Sequence, residues 1–440
     1  MLAGMKAYRA AILSFDPESG QPRHQSDGLL VIRPGPGGTG TARTIEAVGP
    51  FHDLIRHYPG LEIEHLPGRL IAPGFVDLHV HYPQTDVIGS PADGLLPWLE
   101  RYTFPHEARF CDPGHAAGVA EFFLDELQRH GVTTALTFCT SHPQSVDALL
   151  TAAQPRGLRL IAGKCLQDRH CPDGVRDATE QGLLDSEALI ARWHGVGRLG
   201  YAITPRFAPS CSDAQLQGAG ELAARHPDVW IQSHVAENLD EIRWVRELYP
   251  LDRSYLSVYQ RFGLLRARAV YAHCLHLDAA DRALLRDSGT GAAVCPTSNF
   301  FLGSGCFDFM AADRAGFHYG LASDVGGGTS FSPFKTMLAA YEAGRASFTG
   351  GGPAKAGISL APGRLWWLHT AGAARTLGLE GVVGHLLPGA DADFVVLDPT
   401  ATPLLARRTG QAASLDELLF AFIVLGDERA VERTVSAAEV

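Results

Sequence analysis

Between residues 70 and 323 the chain repeats one pattern, a short apolar run followed in most cases by a stretch with helical periodicity. The runs fall at 70–81, 132–139, 158–165, 198–205, 229–234, 269–274, 290–296 and 316–323. Apolar runs this short, bounded by turn residues, read as strands. Residues 115–130 illustrate the intervening helices and put Val119, Phe122, Phe123 and Leu127 on one face. A helix between consecutive strands returns the chain across the sheet, so neighbouring strands run parallel. Eight such units over about 250 residues predict a (β/α)8 TIM barrel of the α/β class.

The flanks read differently. Residues 8–15 and 28–33 are short apolar runs among turn-rich segments such as Pro34-Gly35-Pro36-Gly37-Gly38, with no strong helical period before about residue 50. Residues 381–397 hold a turn and an apolar strand, and the tail reads as β to its close at 432–440. A chain of 440 residues exceeds what one core usually supports, so a large domain plus a smaller one is expected. Residues 1–70 and 380–440 are expected to meet in one small composite β-sandwich, beside a catalytic barrel of residues 71–379. A 46% apolar content is ordinary for a soluble globular protein, and a net charge of −11 argues against a nucleic-acid partner. No apolar run approaches the ~20 residues of a membrane span. The N-terminus lacks an apolar leader with a cleavage site, and the eight cysteines include no C-x-x-C pair. A cytoplasmic protein with reduced cysteines, and no membrane partner, is expected.

Five polar residues stand at the C-terminal ends of these strands: His79 and His81 at the first, His234 at the fifth, His273 at the sixth and Asp324 at the eighth. Residues i and i+2 of a strand point to the same side, so His79 and His81 can face one ion. Alone, an H-x-H pair says little in a chain with 19 histidines. In a barrel, however, all these ends converge on one face, where active sites lie. The set therefore reads as a metal site. Three or four imidazoles and a carboxylate suit zinc, or iron in some settings. A position left open for water would bring that water's pKa to ~7. A bridging lysine for a second ion would be expected at the end of the fourth strand. That strand ends in Thr204-Pro205-Arg206-Phe207, and Lys164 belongs to the third, so one metal is expected. Glu237, three residues after His234, is placed to take a proton from water and deliver it to a ring nitrogen or leaving amine. Asp324 can both touch the metal and accept the water's proton. His273 can be a ligand or can stabilise an oxyanion beside the metal.

These motifs resemble the amidohydrolase superfamily. Pro73-Gly74-Phe75-Val76-Asp77-Leu78-His79-Val80-His81 is similar to its strand-one signature, and Leu387-Pro388-Gly389-Ala390-Asp391-Ala392-Asp393-Phe394-Val395-Val396 to a strand of its smaller domain. Other segments resemble the guanine deaminase family within it: Tyr82-Pro83-Gln84, residues 96–105, residues 204–212, residues 232–238 and Leu425-Gly426-Asp427-Glu428-Arg429. The resemblance covers nearly the whole chain. It implies hydrolytic deamination of guanine to xanthine and ammonia, one zinc ion per subunit with iron as the alternative, a small purine substrate and a homodimer. It implies that Gln84 and Arg206 bind the purine, that Phe207 packs on the ring or presents backbone groups, and that His234, Glu237 and Asp324 also face the substrate. Arginine is donor-only and guanine presents O6 and N7 as acceptors, which favours guanine over adenine. Two departures stand out: Cys274-Leu275-His276 follows His273 where the family often has glycine, and Val325-Gly326-Gly327-Gly328 is more glycine-rich than expected. Rival readings keep the metal residues but deaminate 8-oxoguanine, thioadenosine or an s-triazine, or open a cyclic amide. A catalytically dead scaffold would be expected to lose ligands, and none is lost. The cytidine-deaminase zinc design is excluded, because the chain has no P-C-x-x-C.

Overall fold

The structure, a computed structural model, describes residues 4–35, 42–91, 93–346 and 357–438. Pro36, Gly37 and Gly38 of the expected turn, and residues 1–3, lie outside the described residues. The eight apolar runs supply eight parallel strands: Phe75–His81, Val132–Phe138, Arg159–Gly163, Gly200–Pro205, Trp230–Val235, Ala269–His273, Gly291–Val294 and Tyr319–Leu321. Each is hydrogen-bonded to the next in parallel register. The third strand resumes after Lys164 as Cys165–Leu166, again beside the fourth. Both faces of the strands are buried. Val76, Leu136, Ile161, Ala202, Val270 and Ala293 pack together in one cluster, and Phe75, Ala135, Leu160, Tyr201, Tyr271 and Ala292 belong to the core shared with the helices. Burial on both faces is why the runs read as continuously apolar rather than alternating.

The run at 70–81 is two strands, not one. Ile63–Pro73 belongs to a second sheet, and the barrel strand begins at Phe75. Gly74 sits between them because a Cβ there would lie 2.2 Å from Oγ1 of Thr133. The second sheet orders its six strands as Val431–Val435, Phe394–Leu397, Ile63–Pro73, Lys6–Phe15, Pro22–Arg33 and Thr44–Pro50, so both chain ends build it. It is tied to the barrel by buried charge. Asp391 accepts from Arg159 at 2.8 Å and from Arg198 at 3.0 Å, and Arg198 also reaches Asp393.

Two further expectations are corrected. The tail is not β throughout, because Pro403–Thr409 and Leu415–Leu425 are helices. The second is so apolar that its period is hard to see, and Phe422 packs against Phe334 and Trp366 of the barrel's helical layer. In the helix Pro113–Arg129, Val119, Phe123 and Leu127 are buried as expected, but Phe122 is 55% exposed. Its position lies beyond the buried face, which Ala116, Ala120 and Leu124 complete. Among the described residues no helix is long and apolar enough to cross a membrane.

Phe422→Ala is expected to cost about 3–5 kcal/mol of stability, and Phe122→Ala to stay within about 0.5 kcal/mol, when chemical unfolding of the two variants is compared with the parent.

Candidate metal centre and cleft

The ends of the first and last barrel strands meet at the site. Asp324 N–H donates to the His79 carbonyl at 2.9 Å, and His81 N–H to the Val325 carbonyl at 2.9 Å. Asp77, buried beneath them, accepts from the N–H groups of Ser323 at 3.0 Å and His79 at 3.2 Å. Burial pushes its carboxyl up to about 6, against the pull of those donors. His273 and Asp324 both have positive φ, 70° and 51°, so each turns sharply at its strand end. Non-glycine residues seldom adopt that region, and functional sites are where such strain collects.

The side chains of all five candidate metal residues gather here. His81 Nε2 lies 3.1 Å from His79 Nε2, 3.2 Å from His234 Nε2 and 3.5 Å from Asp324 Oδ1. His79 Nε2 lies 3.1 Å from the same carboxylate oxygen. Donor atoms held ~2.0–2.1 Å from one ion stand roughly 3 Å apart, so the spacing fits a single cation. The protonation pattern fits as well. His234 Nδ1 donates to the Arg206 carbonyl at 2.6 Å, which leaves Nε2 a bare lone pair aimed at the cluster. His273 Nδ1 faces the acceptor Oδ1 of Asn299 at 2.9 Å, which frees its Nε2 in the same way. Burial, then the neighbouring imidazoles, hold His81 and His234 well below the usual histidine range, so both are neutral as ligands must be. Lone pairs facing one another and a carboxylate repel, and a divalent cation is the group that resolves them. His273 stands further out, with Nε2 3.8 Å from Asp324 Oδ2 and 3.3 Å from Glu237 Oε2. Lys164 lies away from this cluster, buried and paired with Asp177 at 2.6 Å.

The carboxylates divide into two kinds. Burial raises Asp324, but its interaction with His79 outweighs burial and holds the group at about 2. Burial, and then the charge of Asp324, push Glu237 well up, although Ser304 Oγ donates to it at 3.3 Å. The two neighbouring acids are therefore pushed in opposite directions. Glu237 is held through its backbone: Glu241 Oε2 accepts its N–H at 3.0 Å and that of Asn238 at 3.2 Å, while Tyr255 donates to Oε1 at 2.7 Å. Burial pushes Glu241 up to about 7.

A cleft opens from the cluster, lined by His81, His234, His273, Asp324 and Glu237 together with Gln84, Arg206, Phe207, Leu95, Trp98 and Leu302. Arg206 is buried and paired with Glu107 through two hydrogen bonds, 2.6 and 3.1 Å, and Gln84 Nε2 donates to the same carboxylate at 3.1 Å. The guanidinium carbon lies 5.0 Å from the Phe104 ring centre. Every candidate from the sequence thus borders one cleft or its metal cluster.

Glu107, Glu241, Asn299 and Ser304 were not singled out from the sequence. Only Glu241 carried a local signal, the N-x-x-E capping box that opens the helix Leu239–Leu248. The two departures find physical reasons. His276 is turned aside, its Nε2 3.1 Å from the Ser304 carbonyl. The glycines after Asp324 are required by space: a Cβ at Gly326 would lie 2.4 Å from the Gln84 carbonyl, and one at Gly328 1.7 Å from that of Ser323.

The chain is similar to known proteins over most of its length. Residues 70–440 match the amidohydrolase family. Guanine deaminase of Escherichia coli strain K12 is 42% identical over 413 residues, 94% of this chain and 90% of that one. The solved E. coli guanine deaminase superposes with a TM-score of 0.93 at 40% identity, covering 99% of this chain and 98% of the other. The guanine deaminase of C. acetobutylicum, solved with guanine bound in its active site, superposes with a TM-score of 0.88 at 28% identity and 99% coverage of each chain.

Glu241→Ala should remove the acceptor of the Glu237 and Asn238 N–H groups and of the Tyr255 hydroxyl, at about 1–3 kcal/mol for each buried donor left unpaired. Thermal unfolding should show a clear drop for this variant and a much smaller one for Glu241→Gln, which keeps an acceptor.

Proposed function

The chain belongs to the amidohydrolase family, and from that membership we propose that its reaction is the hydrolytic deamination of guanine to xanthine and ammonia. The observation that carries this reading is the cleft: its lining brings the convergent metal-type donors together with Arg206 and Gln84, which share the Glu107 carboxylate. Arg206 presents only donors, which suits the O6 and N7 acceptors of guanine and not the N6 amine of adenine. Phe207 and Trp98 supply apolar walls for the ring.

His79, His81, His234 and Asp324 would hold a divalent cation, with His273 completing the set or facing the oxyanion. The imidazole-rich donors favour zinc over harder ions. Such a cation supplies the Lewis acidity that makes water nucleophilic at neutral pH. The chain's own groups manage the protons. Asp324, ionised, accepts the proton that the attacking water releases. Glu237, protonated at rest, donates to the ring nitrogen beside the reacting carbon. Once ionised, it takes up the second water proton and is restored, while Asp324 passes the first to the departing amine. One zinc ion per subunit, a homodimer and a cytoplasmic location complete the reading, supported by the resemblance to guanine deaminases.

The decisive test offers metal-loaded protein guanine, 8-oxoguanine, adenine and thioadenosine, and measures ammonia together with bound metal. Guanine should give the highest kcat/KM by a wide margin, and faster turnover of another substrate would sink the reading. Glu237→Gln should keep its metal and lose roughly 10²–10⁴-fold in kcat. If that variant stays active, Glu237 has no part in the chemistry. Arg206→Ala should act chiefly through a raised KM for guanine. Removing the metal with a chelator should abolish turnover, and adding zinc back should restore it.

A further inference from the structure

Glu107 stands behind the purine-reading end of the cleft. Its side chain is 2% exposed, and both oxygens are engaged. Oε2 accepts from Arg206 Nη1 at 2.6 Å, while Oε1 accepts from Arg206 Nη2 and from Gln84 Nε2, each at 3.1 Å. A buried guanidinium without such a partner is a fixed positive charge in a medium of low dielectric, and it attracts any anion that can reach it. Paired, it offers N–H donors with its charge cancelled nearby. Gln84 is oriented by the same carboxylate, and its Oε1 accepts the Gly326 N–H at 3.3 Å, so both ends of its amide are assigned.

Substrate and product of the proposed reaction differ in charge. Guanine is neutral near pH 7. Exchanging its amine for a second carbonyl places a ring N–H between two carbonyls, which makes the product the stronger acid. A bare arginine would hold the ionised product by charge-assisted hydrogen bonds, roughly twice as strong as neutral ones. We propose that Glu107 is a positioning residue that sets specificity by charge: it neutralises Arg206, so the cleft retains the neutral aminopurine and releases the more acidic dione. The inference rests on guanine deamination as the reaction.

The experiment is inhibition of guanine turnover by xanthine, measured from below to above xanthine's first ionisation, in the parent and in Glu107→Gln. Inhibition of the parent weakens as xanthine ionises. Glu107→Gln keeps the shape and an acceptor but loses the charge, and it binds ionised xanthine on the order of tenfold more tightly than the parent does. Its KM for guanine moves less. A merely structural role would shift KM and thermal stability and leave the preference between ionised and neutral xanthine as it was. A parent that prefers ionised xanthine, or a variant with the parent's pH dependence, overturns the inference. Where Glu107→Gln does not fold, the parent's pH dependence alone decides it. A parent that releases no ammonia from guanine overturns the proposed function instead.

Discussion

Two main-chain hydrogen bonds, Asp324 N–H to the His79 carbonyl and His81 N–H to the Val325 carbonyl, join the last barrel strand to the first. No ladder pairs those two strands among the described residues, so these bonds and the buried Asp77 carboxylate hold the seam closed. The seam carries three of the candidate metal residues. Closing the barrel and assembling the cluster are therefore one event, and the positive φ of Asp324 is a local cost that the surrounding packing sustains. Gly326 and Gly328 are the spatial consequence, since backbone from Gln84 and Ser323 occupies the room side chains would need.

Arg206 couples the two ends of the cleft. Its carbonyl accepts from His234 Nδ1, which fixes the tautomer that aims Nε2 at the cluster. Its guanidinium reaches Glu107 instead. A shift of this one residue would disturb both a candidate ligand and the proposed substrate contacts. The two carboxylates sit in unlike surroundings: interaction with His79 holds Asp324 low, while burial, and then the charge of Asp324, push Glu237 up. Two neighbouring acids are thereby shifted in opposite directions within one cleft.

Much of the barrel was legible because its signal is local. A strand buried on both faces must be apolar along its length, and parallel strands need helices between them, so each unit announces itself within a short window. The candidate ligands were legible for a related reason, since a strand's C-terminal end is a position that can be counted from the sequence. Elsewhere the local signal misled. The run at 70–81 is apolar across Gly74, and nothing in its pattern marks the passage from one sheet to another. The helix Leu415–Leu425 is apolar on nearly every side, which hides its period, and Phe122 was counted on a face that its neighbours occupy instead.

Glu107 shows where such reading ends. It lies 99 residues from Arg206 and 23 from Gln84, and no spacing rule links them. The same holds for Asn299 beside His273 and Ser304 beside Glu237. By itself the sequence determined the barrel, the strand ends that carry the candidate metal residues, and the chemistry those side chains can perform, because these follow from periodicity and functional-group identity. Tertiary structure alone decided which lone pairs face the cluster, which way each carboxylate is shifted, and which buried charge is cancelled. Those depend on distances of about 3 Å between groups remote in the chain, and in a dry interior such distances govern electrostatic energy.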